Sequence, residues 1–171
     1  EIGATIGHEI SHGFDDQGSK YDASGALTDW WTAEDRANFD ARTKALADQF
    51  DKYEPLPGIH INGKLTLGEN IADLAGLVIA YKAYHIALGG KPAPVRDGLT
   101  GDQRFYIAYA QSWREKWREG RLRRSLLSNP HSPPLYRVNA CIRNDDAWYT
   151  AFPVAPADPY YLAPEARVHL W

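Results

Sequence analysis

Three observations in the sequence predict a mainly α-helical domain with little sheet. Apolar residues recur at helical spacing along much of the chain, beginning with Ile2, Ile6 and Ile10. Capping patterns stand ahead of the longer runs: Thr32 with Asp35, Thr66 with Glu69, and Thr100 with Gln103. Strand-like alternation is confined to Ile59-His60-Ile61. At 171 residues the chain fits one domain, 1–171, large enough to bury a sizeable core.

Residues 1–14 read as a helix, yet no capping residue precedes Ile2, so the sequence opens inside a helix and implies polypeptide upstream. The absence of any methionine, even at position 1, implies the same. Asp15-Asp16-Gln17-Gly18 and Asp22 to Gly25 have turn compositions. Thr32 caps an amphipathic helix that runs to about Tyr53, where Pro55, Pro57 and Gly58 stop it. Ile59-His60-Ile61 is a short strand closed by an Asn62-Gly63 turn. Thr66-Leu67-Gly68-Glu69 has capping-box form and opens a helix to about Leu88, apolar nearly all round and so expected to cross the core. Gly89-Gly90 ends it. Thr100 and Gln103 open a helix to about Trp117, and a shorter one covers 120–128. From Asn129 the prolines multiply, with a short helix near Asp145 to Phe152 and an irregular tail.

The composition is 44% apolar and 24% charged, an ordinary globular balance. A net charge of −3 offers no basic footprint, so nucleic acid is not an expected partner. The basic stretch Arg114 to Arg124 is broken by Glu115 and Glu119 and reads as a solvated helix face with internal ion pairs. Cys141, the one cysteine, has no internal disulfide partner and sits among apolar neighbours, as a buried inert thiol would. The most apolar run, Ile71 to Tyr81, is interrupted by Asp73 and is too short to span a bilayer.

Chemistry concentrates in His8-Glu9-Ile10-Ser11-His12. On a helix, residues four apart face the same way, so the two imidazoles can converge on one cation, and zinc suits them. Glu9 stands close enough to take a proton from metal-activated water without being forced to ligate. A catalytic zinc takes three protein ligands as a rule. Glu69 is the candidate third: taken alone, with Thr66 three residues before it, it reads first as a capping carboxylate, and beside the His8 to His12 run it reads first as a ligand. Asp73, four residues on, lies in an otherwise apolar helix, where an unpaired carboxylate would be costly. Asp73 and Asp15 suit the role of carboxylates that accept a hydrogen bond from a ligating histidine. His131, in His131-Ser132-Pro133, is a candidate donor to a developing oxyanion, or simply a solvent-exposed turn histidine.

His8 through Asp16, then Asp29-Trp30-Trp31, then Gly68-Glu69-Asn70-Ile71-Ala72-Asp73, then His131-Ser132-Pro133 with Arg137, resemble the neprilysin family of zinc metallopeptidases in order and spacing. The resemblance runs to the terminal Trp171. It implies the C-terminal part of a thermolysin-like zincin catalytic lobe, cleaving internal bonds of oligopeptides by attack of a zinc-bound water. It further implies one Zn2+ per chain on His8, His12 and Glu69, with Glu9 as general base. Asp15 and Asp73 would orient the histidines, and His131 would stabilise the tetrahedral intermediate. Arg137 would hold a substrate carbonyl, and Trp113 would line the pocket beyond the scissile bond, though core packing accounts for Trp113 equally well.

The family's substrate-pairing strand and its second helical lobe have no counterpart in these residues. The expected partners are therefore peptide substrates and an upstream part of the same polypeptide. Relatives of this type imply a location outside the cytoplasm. The ending Ala166 to Trp171 lacks the cysteines of animal relatives, which implies a bacterial-type member. Two alternatives stand beside the peptidase: a zinc-binding unit inactive without upstream polypeptide, and a metal-free helical interaction domain.

Overall fold

The computed structural model describes residues 1–170; Trp171, where the resemblance ends, lies outside the described residues. Seven α-helices follow in order: α1 Ile2–Ser11, α2 Ala33–Phe50, α3 Leu67–Ala87, α4 Gly101–Ser112, α5 Glu119–Ser128, α6 Pro134–Ile142 and α7 Asp146–Ala151. Short 3-10 turns cover His12–Phe14, Gly18–Lys20 and Pro164–Ala166. Among the described residues there is no strand, only isolated bridges such as Leu56 with Ile59. The fold is mainly α.

Helix α3 is the axis of the molecule. Its residues 70–77 are buried all round, as the apolar composition of that stretch requires. On one side Phe39, Leu46 and Phe50 of α2 and Ala140 and Cys141 of α6 pack with Ile71 and Leu74. On the other, Leu77 and Ala80 meet Ala4 of α1, Tyr106 and Tyr109 of α4, Val138 of α6 and Trp148 of α7. The second half of α3 departs from the expected core crossing, since Val78, Ile79 and Ile86 are exposed.

Helix α1 reaches α3 through glycine. A Cβ added to Gly76 would lie 2.5 Å from the Ala4 carbonyl oxygen and 2.6 Å from the His8 backbone nitrogen. One added to Gly7 would lie 3.0 Å from the Gly76 Cα. Only residues without a side chain permit this approach of backbones. The consequence is local to the chemistry, because His8 is carried directly onto the face of α3 that bears Glu69 and Asp73.

Several sequence expectations are corrected by the structure. Ile59-His60-Ile61 forms no strand: its backbone makes one isolated bridge, Ile59 with Leu56, and one bond from Ile61 N–H to the Tyr53 carbonyl, too few for a ladder, and Ile61 is buried in the core. Asn62-Gly63 closes no hairpin. Instead Asn62 Oδ1 accepts from the Leu65 backbone N–H at 2.9 Å, and Gly63 N–H donates to Asp51 Oδ1 at 2.7 Å. Thr66 makes no capping box with Glu69. Its hydroxyl donates to the Asn62 carbonyl at 3.1 Å and accepts from Asn70 Nδ2 at 2.9 Å, which leaves the Glu69 side chain free to turn elsewhere. Helix α4 ends at Ser112, short of Trp117, where Trp113 turns onto the Arg137 guanidinium at 3.9 Å. Of the Arg114 to Arg124 stretch only the part in α5 is helical, with Arg123 paired to Glu119 at 2.7 Å. Helix α6 was not expected at all, although Pro134 in its first turn is a starting signal.

Other expectations hold. Thr32 Oγ1 accepts from Asp35 N–H, Thr100 and Gln103 form both bonds of a capping box, and Gly89 and Gly90 carry the positive φ that ends α3. Cys141 is buried, and burial pushes its thiol pKa well up, as an inert core thiol requires.

Candidate metal centre and active site

Helix α1 and the 3-10 turn that continues it place His8 and His12 one turn apart, with ring centroids 4.7 Å from each other. His8 Nδ1 meets Asp73 Oδ1 at 2.9 Å, and His12 Nδ1 meets Asp15 Oδ2 at 2.7 Å. A carboxylate beside each Nδ1 makes that nitrogen the donor. The two Nε2 atoms face each other at 3.1 Å, and in the neutral rings both are acceptors. Glu69, in the first turn of α3, brings its Oε2 to 3.3 Å from His8 Nε2, while its Oε1 lies 3.8 Å from His12 Nε2.

This arrangement asks for a cation. Two facing lone pairs repel unless a proton or a metal ion lies between them. Glu69 Oε2 is buried without a properly aligned hydrogen bond, although His131 Nε2 and Arg137 Nη2 stand 3.0 and 3.7 Å away. One donor atom from each of His8, His12 and Glu69 fits within a 4.8 Å spread. Two imidazole nitrogens and a carboxylate oxygen are a donor set that zinc accepts.

The electrostatics agree. Burial alone would make His8 harder to protonate, but the Asp73 and Glu69 carboxylates outweigh it and push its pKa up to about 9. Burial likewise works against ionising Glu69, yet contact with His8 and the charges of His131 and His12 hold it below the usual carboxylate range. The site favours positive charge at its centre.

Asp15 is fixed by the turn after α1, where Oδ1 accepts from the backbone N–H groups of Gln17 and Gly18 at 2.8 and 2.7 Å. Asp73 is buried and answers a second group: Arg137 Nε and Nη2 donate to its two oxygens at 2.6 and 2.7 Å. Arg137, from α6, is itself buried beneath Trp113. The costly carboxylate anticipated in α3 is thus paired twice over.

A cavity of about 240 Å³ is lined by His8, Glu9, Asp73, Trp113, His131 and Arg137, together with Tyr109 and the start of α1. His12, Asp15 and Glu69 do not line it and adjoin it through His8. Glu9 is solvent-exposed at its margin. Trp113 serves both as cavity wall and as core packing against the Tyr106 and Tyr109 cluster. All nine residues singled out in the sequence are therefore assembled in one place.

The residues 1–168 match the model for Peptidase family M13. The chain belongs to that family. It is 42% identical over 170 residues to a neutral endopeptidase of Lactobacillus helveticus, an alignment covering 99% of this chain and 24% of that protein. It is 35% identical over 173 residues to human endothelin-converting enzyme 1, covering 99% of the chain and 22% of the relative. Among solved structures, the zinc metalloprotease ZMP1 of Mycobacterium tuberculosis, in complex with an inhibitor, superimposes with a TM-score of 0.97 at 54% identity. That match covers 99% of this chain and 27% of the other. The M13 chain thus spans about a quarter of the length of the relatives it matches. The family is that of the neprilysin-like zinc metallopeptidases, which makes zinc the ion to expect at His8, His12 and Glu69.

Two residues near the centre were not singled out from sequence. Asn70 and Ser132 are fully buried and hydrogen-bonded to each other at 2.8 Å. Their signal was the motif itself, since Asn70 follows Glu69 and Ser132 follows His131. Asn129 also belongs to this group, its Oδ1 facing the His131 backbone N–H at 2.9 Å and its Nδ1 at 3.0 Å.

Proposed function

We propose that this chain supplies the zinc-binding and acid–base groups of an endopeptidase that hydrolyses internal bonds of oligopeptides. The observation that carries the reading is the convergence of His8, His12 and Glu69 beside a cavity that Glu9 and His131 line. Zinc bound there would polarise the substrate carbonyl and lower the pKa of a coordinated water to about 7.

The remaining roles fall to side chains of this chain. His8, His12 and Glu69 would hold the ion, one per chain. Asp73 and Asp15 fix both imidazoles with Nε2 directed inward. Glu9 accepts the proton of the attacking water on its carboxylate and hands it to the departing amine. His131, at the cavity wall, stands where its ring can donate to the developing oxyanion. Arg137 and Trp113 bound the side on which the substrate backbone lies, with Arg137 already aligned by its fork to Asp73.

A second reading is favoured by one observation. Ile2, Ile6 and Ile10 on α1 and Val78, Ile79 and Ile86 on α3 are exposed apolar residues, some of them lining a shared hollow. A zinc-binding unit that turns over peptides only with further polypeptide on that face would look like this. The family resemblance supports a location outside the cytoplasm, and no described helix is long and apolar enough to cross a membrane.

Cleavage of a mixed peptide library, read by mass spectrometry against Glu9→Gln, tests the first reading. The expected result is cleavage that disappears in Glu9→Gln while bound zinc stays at one per chain. Turnover that survives the substitution would refute Glu9 as the base.

A further inference from the structure

His131 reaches the site from the connection between α5 and α6, and its side chain is 42% exposed. No residue of α5, the element before it, is fully buried, and Leu126 of that helix rests only partly buried against the core. Asn129 orients the ring within its own loop but ties it to nothing else. The next residue behaves differently. Ser132 is 1% exposed, and its hydroxyl donates at 2.8 Å to Oδ1 of Asn70, which is 0% exposed.

The pairing is in register. His131 meets Glu69, Ser132 meets Asn70, and Arg137 forks onto Asp73, so loop and helix α6 close along α3 over its metal-binding turn. Asn70 is held in turn from below, because its Nδ2 donates to Thr66 Oγ1 and Thr66 donates to the Asn62 carbonyl. Each hydroxyl and amide in this series is buried, where an unanswered polar group is costly. The series also explains why Thr66 is withheld from Glu69.

We propose that the buried Ser132–Asn70 hydrogen bond is the tether that holds His131 at the metal-binding turn, which makes both of them positioning residues. The proposal rests on the peptidase reading for its effect on turnover, but not for its effect on the His131 ring. Neither residue touches the reacting atoms. Each acts through His131: without the Ser132 hydroxyl, Asn70 Oδ1 loses its donor and the loop loses the buried contact with α3 that lies next to His131.

The test compares Ser132→Ala and Ser132→Thr in the zinc-loaded chain, alone and with His131→Gln. The first readout is the carbon–proton NMR resonance of the His131 ring. In Ser132→Ala it should move toward that of a solvent-exposed imidazole while the His8 and His12 resonances stay in place. Ser132→Thr, which keeps the hydroxyl, should restore it. The second readout is peptide turnover. Displacing a group that stabilises the transition state should lower kcat about ten- to a hundredfold, with KM little changed. In the His131→Gln background, Ser132→Ala should cost nothing more, whereas a merely structural residue would cost the same in both.

An unmoved His131 resonance in Ser132→Ala, or equal losses in both backgrounds, overturns the tether. If the native chain cleaves no peptide, the hydrolytic reading fails and the NMR comparison alone decides the tether. Should Ser132→Ala not fold, Ser132→Cys keeps the volume, weakens the donor and gives the same comparison.

Discussion

Asp15 and Asp73 stand in the same relation to His12 and His8, but removing their charge has different consequences. Asp15→Asn keeps an oxygen for the Gln17 and Gly18 amides and loses only the acceptor for His12 Nδ1. Zinc affinity should fall about ten- to a hundredfold with the thermal midpoint nearly unchanged. Asp73→Asn also strips the buried Arg137 of its carboxylate, and breaking such a pair costs about 3–5 kcal/mol. Metal titration and thermal unfolding of both variants separate the two cases, and equal destabilisation would contradict the assignment. The pKa of His8 adds a sign. A histidine whose pKa is raised from 6.5 to about 9 contributes stability to the metal-free chain that is complete below 6.5 and lost as the pH climbs through about 9. Zinc must displace the same proton, so affinity should rise across that window by up to about tenfold per pH unit. Chelator-buffered titrations that show a flat profile there would remove His8 from the ligand set.

At the scale of elements, the helix that presents the histidines was legible and the way it docks was not. His8, Glu9 and His12 announce themselves by spacing, because helical geometry translates four residues into one direction. Glu69 was ambiguous for a physical reason: the same carboxylate fits a capping box, and only the capture of Thr66 by Asn62 and Asn70 decides against it. Helix α6 was obscured by the prolines around it, although it delivers Arg137. The α1–α3 crossing was invisible, since glycines inside two helical patterns signal weakness before they signal contact. That crossing is open to test. Gly76→Ala places a methyl against Ala4 and the His8 backbone and should push α1 away from α3, costing about 1–3 kcal/mol and weakening zinc binding together. Gly13→Ala, where nothing lies within 4 Å of the added carbon, is the control and should do neither. A Gly76→Ala protein with unaltered zinc affinity would show that the crossing does not set the ligand geometry.

For the whole molecule, the outward face of α1 is the feature to explain. Ile6 and Ile10 are 55% and 62% exposed, whereas His8, between them in sequence, is 9% exposed. One helix thus divides its faces between a buried histidine of the proposed metal site and an open apolar stripe. Apolar side chains left in water at that density suit contact with other polypeptide, the second reading proposed above. Replacing both isoleucines with serine changes that stripe without touching the face that bears His8 and His12. The expected results are a several-fold drop in the fluorescence of an apolar-patch dye and zinc binding equal to the parent. Peptide cleavage then separates the two readings of function. If the chain works alone, the double variant should cleave as fast as the parent, because the stripe takes no part in the chemistry. If catalysis needs further polypeptide on this face, the chain should be silent until the remainder of a family member is added. The double variant should then fail to respond, since the seat for that polypeptide has become polar. Loss of zinc in the double variant would contradict both, by showing that the stripe and the metal centre are not separable faces of one helix.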